Sequence, residues 1–350
     1  MDSDSRERRK RSARFNEIAL EAGVSMSTVD RVLNERGSVS SAARGRVLAA
    51  ARRLNVPRIL PDARHGVVHF DILMTSHAAP FVARLDAAIE RAIQTLDRRI
   101  QVHRITVPSR DERAVTRAIV ERPYKRTGLI AVCTDKQPMR EALRSVIASG
   151  EPVALMVSDL PDLPPHHYAG IDHYKAGRTA GYWIGRLAKR KGRVLILNGM
   201  DGVLAHHERA RGCIDALSDY FPTLDVVVSP EHCDDADRSY RYTSAEFKKG
   251  GLVGIYDTGY GSTGVMAALH RFGAQGSTVW IGNEMLDLHR QYLKERAMDM
   301  VIDQNPDGQV ASALQHLLHA SGQIDFTPYP ELREFRVFTM PNVRETNYMD

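Results

Sequence analysis

Residues 14–56 read RFNEIALEAGVSMSTVDRVLNERGSVSSAARGRVLAAARRLNV, and apolar residues recur in this stretch with the periodicity of α-helices. The pattern predicts three short helices, which span about Phe15–Ala22, Met26–Leu33 and Ser41–Leu54. Gly23 suits the tight turn between the first two helices, and Ser25 is a good N-cap for the second. The stretch therefore predicts a small three-helix unit near the start of the chain.

From Val67 onward the pattern changes to short apolar strands that alternate with amphipathic helices. Strands are predicted at 67–74, 100–105, 128–132, 152–156, 193–197, 224–228, 252–256, 278–281 and 300–302. Helices are predicted between most of them, at 81–96, 112–121, 138–149, 174–189, 206–220, 262–272 and 307–321. Such alternation is typical of parallel sheets covered by helices. Roughly 280 residues of it exceed one ordinary sheet domain, so we expect an α/β body with two similar lobes.

The positive charge of the chain is confined to its beginning. Residues 1–66 contain 14 Lys and Arg against 8 Asp and Glu, whereas residues 67–350 contain 34 against 35. A compact basic head on a nearly neutral body favours a polyanion as the partner of the head. A solvated basic tail around Arg8–Arg11 explains the same charge, and composition alone leaves both interpretations open.

Composition also excludes several classes of protein. No apolar run is long enough to span a bilayer, and the charged segment Met1–Lys10 is unlike a secretory signal. The three cysteines, Cys133, Cys213 and Cys233, lie far apart, which fits a reduced protein better than a disulfide scaffold. We therefore expect a cytoplasmic protein.

In the types and spacing of its residues, the three-helix unit resembles the DNA-binding head of the lactose-repressor family. The matching positions are Ile18-Ala19, Ala22-Gly23-Val24-Ser25, Thr28-Val29, Arg31-Val32-Leu33-Asn34 and Val39-Ser40. The body is similar to the sensor of that family and to periplasmic sugar-binding proteins. The resemblance implies a helix-turn-helix repressor that acts as a homodimer, or as a tetramer, on a palindromic DNA operator.

The resemblance also implies a division of the chain. We expect a basic disordered arm at 1–13, a helix-turn-helix domain at 14–57, a linker at 58–66 and an effector-binding domain at 67–345. Its two lobes would comprise about 67–170 with 304–325, and 171–303 with 326–345. The linker lacks the hinge-helix pattern of the family, although Ile59 or Leu60 is a candidate wedge for the minor groove.

A second helix of this kind lies in the major groove of DNA. The resemblance assigns DNA contacts to Ser25, Met26, Ser27, Thr28, Asp30, Arg31 and Asn34. Arg31 suits a bidentate pair with guanine, whereas Ser25, Thr28 and Asn34 match positions that hold phosphates. Simpler roles stay open, because Ser25 also suits an N-cap, Met26 also suits a packing position, and Asp30 also suits a pair with Arg31 or with the start of a helix. Arg14 and Asp30 depart from the threonine and the serine that are common in the family.

In sensors of this type a ligand lies between the lobes, at the carboxyl ends of strands. The candidate ligand-binding residues are Phe81, Asp135, Ser158, Asp159, Arg209, Asp257, Glu284 and Gln304. Arg209 precedes Gly212 by three residues, as the ligand-binding arginine of the family does, whereas Arg211 does not match. Each polar residue also suits a salt bridge between lobes or a strand cap.

The polar set predicts a small polyhydroxylated effector, such as a sugar, polyol or cyclitol. We expect no cofactor and no metal site, because the adjacent pairs His166-His167 and His206-His207 point apart. We also expect no enzyme, since no nucleophile and base stand at a usable spacing. Two alternatives stay open: a transport-type solute-binding protein, and an α/β enzyme fused to a DNA-binding head.

Overall fold

The structure is a computed structural model, and it describes residues 15–34, 36, 38–54, 56, 67–76, 80–108, 111–132, 134–199, 203–230, 235–328 and 333–346. The chain divides into two compact units, Met1–Val67 and Val68–Asp350. The predicted arm at 1–13, the altered cap at Arg14 and the linker at 58–66 with Ile59 and Leu60 lie outside the described residues. They stay predictions.

The first unit contains three helices, α1 Phe15–Ala22, α2 Met26–Leu33 and α3 Ser41–Arg53. Serine residues cap α2 and α3, because the Oγ atoms of Ser25 and Ser40 accept hydrogen bonds from backbone N–H groups of the first turns. Gly23 has a φ of 62° between α1 and α2, in the left-handed region that favours glycine. The buried core comprises Ile18, Ala19, Ala22, Val29, Val32, Leu33, Val47, Leu48, Ala50 and Ala51.

The second unit contains two sheets, and the first sheet is parallel throughout with strand order β2-β1-β3-β4-β5. Its strands are β1 Val68–Ser76, β2 Ile100–Pro108, β3 Gly128–Val132, β4 Val153–Met156 and β5 His167–Ala169. The helices between them are α4 Pro80–Gln94, α5 Glu112–Val120 and α6 Gln137–Ala148. Successive side chains alternate between the two faces of the sheet, so Phe70 and Ile72 join one core and Leu73 the other.

The second sheet has strand order β11-β10-β9-β8-β6-β7, and only β11 runs antiparallel to its neighbour. Its strands are β6 Gly192–Leu197, β7 Leu224–Val228, β8 Leu252–Asp257, β9 Val279–Asn283, β10 Met300–Asp303 and β11 Arg336–Phe338. The helices around it are α7 His173–Leu187, α8 Leu204–Tyr220, α9 Ala236–Lys248, α10 Ser262–Phe272 and α11 Asp287–Lys294. A 3-10 helix, Met340–Asn342, follows β11.

The chain crosses between the two lobes after β5, after β10 and after α12, which spans Pro306–Ala320. Although α12 lies in sequence between β10 and β11 of the second sheet, it packs on α4, β4 and β5 of the first lobe. Val310, Leu314 and Leu317 of α12 belong to the core of that lobe. Each lobe therefore contains two separate parts of the chain. Gly170, Asn305 and Arg333, one from each crossing, line the same pocket, and we call this region the hinge.

The predicted fold class, a helical head followed in sequence by an α/β body with parallel sheets, is confirmed. Two strands were missed, β5 and β11, because each has only three residues and carries no alternating pattern of its own. Hydrogen bonds to β4 and β10 define these strands, and such pairing is a tertiary property. None of the helices in the described part of the chain has the length and apolar character needed to cross a bilayer.

Candidate functional site

Helix α2 presents one polar stripe on the surface of the head. Ser27, Asp30, Arg31 and Asn34 follow a spacing of three and four residues, so they lie on one side of the helix. Val29, Val32 and Leu33 on the other side are buried. Met26, at the start of the helix, is 57% exposed, so it is not a packing residue of the head core.

The hydroxyl groups at the start of α2 form a small hydrogen-bonded cluster. Ser25 Oγ lies 2.9 Å from Ser27 Oγ and 2.8 Å from Thr28 Oγ1, and it accepts a hydrogen bond of 3.2 Å from the Thr28 backbone N–H. Ser25 is thus the N-cap that the sequence predicts. The cluster also leaves hydroxyl oxygens on the exposed end of the helix, where they suit phosphate contacts.

Asp30 does not pair with Arg31. Its Oδ1 atom accepts a hydrogen bond of 2.7 Å from Nδ2 of Asn34, one turn further along α2. The exposed Arg31 side chain makes no hydrogen bond or ion pair with the described part of the chain. Adjacent side chains on a helix diverge, which explains why these two opposite charges do not meet.

In the body, a cavity of about 90 Å³ lies between the lobes at the carboxyl ends of the strands. It is lined by Met74, Thr75, Phe81, Val82, Leu85, Val132, Thr134, Val157, Ser158, Val203, Ala205, His206, Arg209, Tyr260 and Gln304. Four of the eight predicted ligand-binding residues are among them: Phe81, Ser158, Arg209 and Gln304. The first lobe contributes mainly apolar side chains, and the second contributes the charge.

Arg209 on α8 is buried, and each nitrogen of its guanidinium group has a partner within the second lobe. Nε donates to Nδ1 of His173 at 3.2 Å, Nη1 donates to the Thr258 carbonyl at 2.9 Å, and Nη2 lies 3.4 Å from Oε1 of Glu284. His173 is neutral in this arrangement, because burial and the neighbouring Arg209 hold its pKa well below the ordinary value. His173 Nε2 in turn donates to the Val157 carbonyl of the first lobe, at 2.6 Å.

Glu284 lies beneath Arg209 and Gln304 at the end of β9. Its Oε1 atom also accepts a hydrogen bond from Nε2 of Gln304, whereas its Oε2 atom has no hydrogen-bond partner among the described residues. Burial raises the pKa of this carboxyl to about 7, with Arg209 opposing the rise. The residue has a φ of 68°, an unfavourable backbone conformation of the kind that clusters at binding sites.

A buried ion pair connects the two lobes close to the hinge. Nη1 of Arg84, on α4 of the first lobe, binds Oδ1 of Asp303 at the end of β10 and lies 4.0 Å from Oε2 of Glu284. The two oxygens of Asp303 also accept hydrogen bonds from the backbone N–H groups of Met285 and Asn305. Asp303 is therefore fully satisfied, and Arg84 is its only cationic partner among the described residues.

The other predicted acids do not line the cavity. Asp135 forms a bidentate ion pair with Arg140, five residues further on, and Asp159 binds His166 and Arg333. Asp257 is buried at the end of β8, where Oδ1 accepts a hydrogen bond from the Gly259 N–H. Arg211 is exposed and pairs with Glu208, as its mismatch to the family position predicts.

Sequence reasoning missed Arg84, Asp303 and His173. A charged residue between Phe81 and Leu85, on the apolar side of α4, was a signal for Arg84. Asp303 directly precedes Gln304, but the sequence of β10 does not reveal an ion-pair partner more than 200 residues away.

Within the described residues no group of three or more metal-ligating side chains occurs, and Cys213 is a buried free thiol.

Comparisons with known proteins match both parts of the chain. Residues 70–323 match the model of the periplasmic binding protein domain, and residues 14–56 match the model of bacterial regulatory proteins of the lacI family. The maltose regulon regulatory protein MalI of Escherichia coli (strain K12) is 34% identical over 91 residues. That alignment covers 25% of this chain and 26% of MalI, so the chain matches about a quarter of this relative.

Solved structures of solute-binding proteins share the fold of the body. A protein from Burkholderia graminis in complex with D-arabinose is 20% identical, with a TM-score of 0.70, 81% of this chain covered and 98% of that one. A protein from Bacillus halodurans with bound myo-inositol is 16% identical, with a TM-score of 0.68 over 79% and 96% of the two chains. A protein from Actinobacillus succinogenes with bound D-allose is 21% identical, with a TM-score of 0.67 over 78% and 98%.

Proposed function

Because this chain belongs to the periplasmic binding protein domain family and carries a lacI-family head, we propose that it is a transcription regulator that responds to a small polar effector. The observation that carries the proposal is the combination of two sites in one chain. A polar stripe on α2 suits the major groove of DNA, and a charged cavity lies between the lobes of the body.

The head supplies affinity and sequence preference for an operator. Arg31 extends from α2 without a partner among the residues that the structure describes, which leaves its guanidinium group available to pair with guanine. The hydroxyl groups of Ser25, Ser27 and Thr28 and the amide of Asn34 provide phosphate or base contacts on the same stripe. Two heads on a homodimer would read the two halves of a palindrome, and we place this regulator in the cytoplasm with its DNA.

The effector is a small polyhydroxylated molecule of the sugar, polyol or cyclitol class. Arg209, Gln304 and Ser158 offer hydrogen-bonding groups at the cavity, and Phe81 offers an apolar ring. Glu284 accepts hydrogen bonds from Arg209 and Gln304, and Asp257 lies buried at the end of β8. Asp135 and Asp159 can contact the effector only when their ion pairs open. Relatives in fold bind D-arabinose, D-allose and myo-inositol, which are the first compounds to test.

The proposal is tested with the purified full chain. An operator is selected from random DNA, and its affinity is measured with and without each compound that raises the melting temperature. We expect at least one compound to raise the melting temperature and also to change the affinity for the operator. The reason is that a ligand that prefers one arrangement of the lobes shifts the population of that arrangement. Equal affinity for all DNA sequences would contradict the proposal. So would an operator affinity that no stabilising compound changes.

A pair of variants on α8 tests the cavity. Arg209→Ala should abolish the effector response and retain operator binding, because it removes the side chain that joins His173, Thr258 and Glu284. Arg211→Ala is the matched control, since Arg211 lies two residues away on the exposed side of the helix and should keep the response. A turnover assay on the same compounds separates the regulator from the alternative, an enzyme with a DNA-binding head.

A further inference from the structure

We propose that Asp30 selects one base pair in each half of the operator by accepting a hydrogen bond from the amino group of a cytosine in the major groove. This inference rests on the proposed function, because it requires that the stripe on α2 faces DNA bases. It adds to that function a residue that discriminates between sequences and the base that it prefers.

The position of Asp30 brings it to the bases. It lies three residues after Ser27 and next to Arg31, on the polar stripe of α2, and it is partly exposed. The buried residues Val29, Val32 and Leu33 fix the side of the helix that faces the core. Any orientation of α2 that offers Arg31 to the groove therefore also brings Asp30 close to the groove.

The carboxylate of Asp30 has no cationic partner in the described part of the chain. Among the described residues its side chain accepts one hydrogen bond, from the neutral amide of Asn34, and no Lys or Arg lies within 4.0 Å of its carboxylate. The bond to Asn34 uses Oδ1 and limits the rotation of the side chain. Oδ2 is left as an acceptor without a partner in the described part of the chain.

An uncompensated carboxylate near DNA is costly, because every phosphate repels it. A donor on a base edge offsets that cost. In the major groove only cytosine N4 and adenine N6 donate hydrogen bonds, and adenine also presents the N7 acceptor beside its amino group, which repels a carboxylate. Cytosine is therefore the base that suits Asp30. Sequences without this donor should bind more weakly for two reasons: the hydrogen bond to Asp30 is lost, and the repulsion between Asp30 and the phosphates is no longer offset.

The inference is tested by base substitution in the operator that the full-length wild type selects. Each position is changed to each of the four base pairs, and affinity is measured at one salt concentration for wild type and Asp30→Asn. We expect the wild type to prefer cytosine at one position of each half-site by roughly tenfold. Asparagine matches adenine, so Asp30→Asn should lose the cytosine preference and gain one for adenine at that position only.

Two further variants separate base selection from other roles. Asn34→Ala removes the partner of Asp30 and should lower affinity by a similar factor for all sequences, with the cytosine preference kept. Glu21→Gln removes an equal charge from α1, where Glu21 pairs with the exposed Arg53 at 3.2 Å, and should leave every base preference unchanged. If Asp30→Asn changes affinity equally at all positions, Asp30 only positions Asn34 and the inference is wrong. A wild type that selects no operator removes the proposed function as well.

Discussion

Arg84 and Arg91 lie on the same helix, α4, and each pairs with an aspartate near the second crossing of the hinge. The Arg84 and Asp303 side chains are 8% and 2% exposed, whereas those of Arg91 and Asp307 are 51% and 58% exposed. We expect Arg84→Met to lower the free energy of unfolding by about 3 kcal/mol, because the buried Asp303 loses its cation. Arg91→Met should cost less than about 1 kcal/mol, since solvent screens the exposed pair.

Urea unfolding of both variants, followed by circular dichroism, checks this difference. Arg84→Met should also change the affinity for the effector, because Arg84 is the ion-pair partner through which the first lobe holds the hinge end of β10. Equal and small losses of stability for the two variants would contradict the assigned role of Arg84. The bond between the lobes would then be without energetic consequence.

Glu284 makes the stability of the body depend on pH. Its pKa is raised from 4.5 to about 7 by burial, so its ionisation opposes folding. The contribution of this carboxyl to the free energy of unfolding is fully present below pH 4.5. As the pH rises through 7, the free energy of unfolding falls by on the order of 3 kcal/mol. The buried histidines act in the opposite direction, because burial lowers the pKa of His289 to about 4 and lowers that of His173 as well.

A comparison with Glu284→Gln isolates the carboxyl from the histidines. The amide has the same shape and no charge, so the loss of stability between pH 5 and pH 7.5 should be larger in the wild type than in the variant. Melting temperatures at both pH values measure the difference. Identical pH profiles would show that Glu284 is ionised throughout, with Arg84 and Arg209 as sufficient partners.

At the scale of elements, the close approach of α7 and α8 positions Arg209 against His173. Glycines allow this approach: a Cβ atom at Gly177 would lie 2.0 Å from the Arg209 carbonyl oxygen, and one at Gly212 would lie 2.1 Å from the Tyr174 carbonyl oxygen. Both contacts are with backbone atoms, which cannot rotate away. The spacing of the two helices therefore depends on the absence of these two side chains.

We expect Gly177→Ala to destabilise the body by about 2–3 kcal/mol, because the two helices must separate. The separation should also weaken the effector response, since it moves Arg209 away from His173. Gly45→Ala is the matched control in the middle of α3, where no atom lies within 4 Å of the added Cβ. It should be neutral or stabilising by up to about 1 kcal/mol. Calorimetry of the full chain measures both effects, and an unchanged melting profile for Gly177→Ala would contradict this packing.

At the scale of the whole molecule, we expect a homodimer. One helix-turn-helix head contacts only a few base pairs, and a two-fold operator requires two heads related by the same symmetry. Sedimentation of the full chain at micromolar concentration should show a species of twice the 39.1 kDa of one chain. A single species of 39.1 kDa would contradict the prediction and would leave the palindromic operator without a physical basis.

The sequence by itself determined the fold class and the helices of the head. Helical periodicity, Gly23 and the serine caps are local signals, so the three helices of the head and the exposed stripe of α2 follow from neighbouring residues. The alternation of strands and helices is equally local, and it predicts parallel sheets without knowledge of any contact. Arg209, which the sequence singles out within a recognisable motif, lies at the cavity, and its role as a ligand contact stays a prediction.

Only the tertiary structure decided which charged groups meet. Asp135 and Asp159 stand at strand ends, as candidates for ligand contacts should, yet Arg140, His166 and Arg333 bind them first. Arg84 reaches Asp303 across 219 positions of sequence because α4 and the end of β10 meet at the hinge. Ionic contacts depend on distances of a few ångströms between elements, whereas sequence patterns report only which side of an element is buried. The pattern therefore predicts where a site lies, and packing decides which side chains form it.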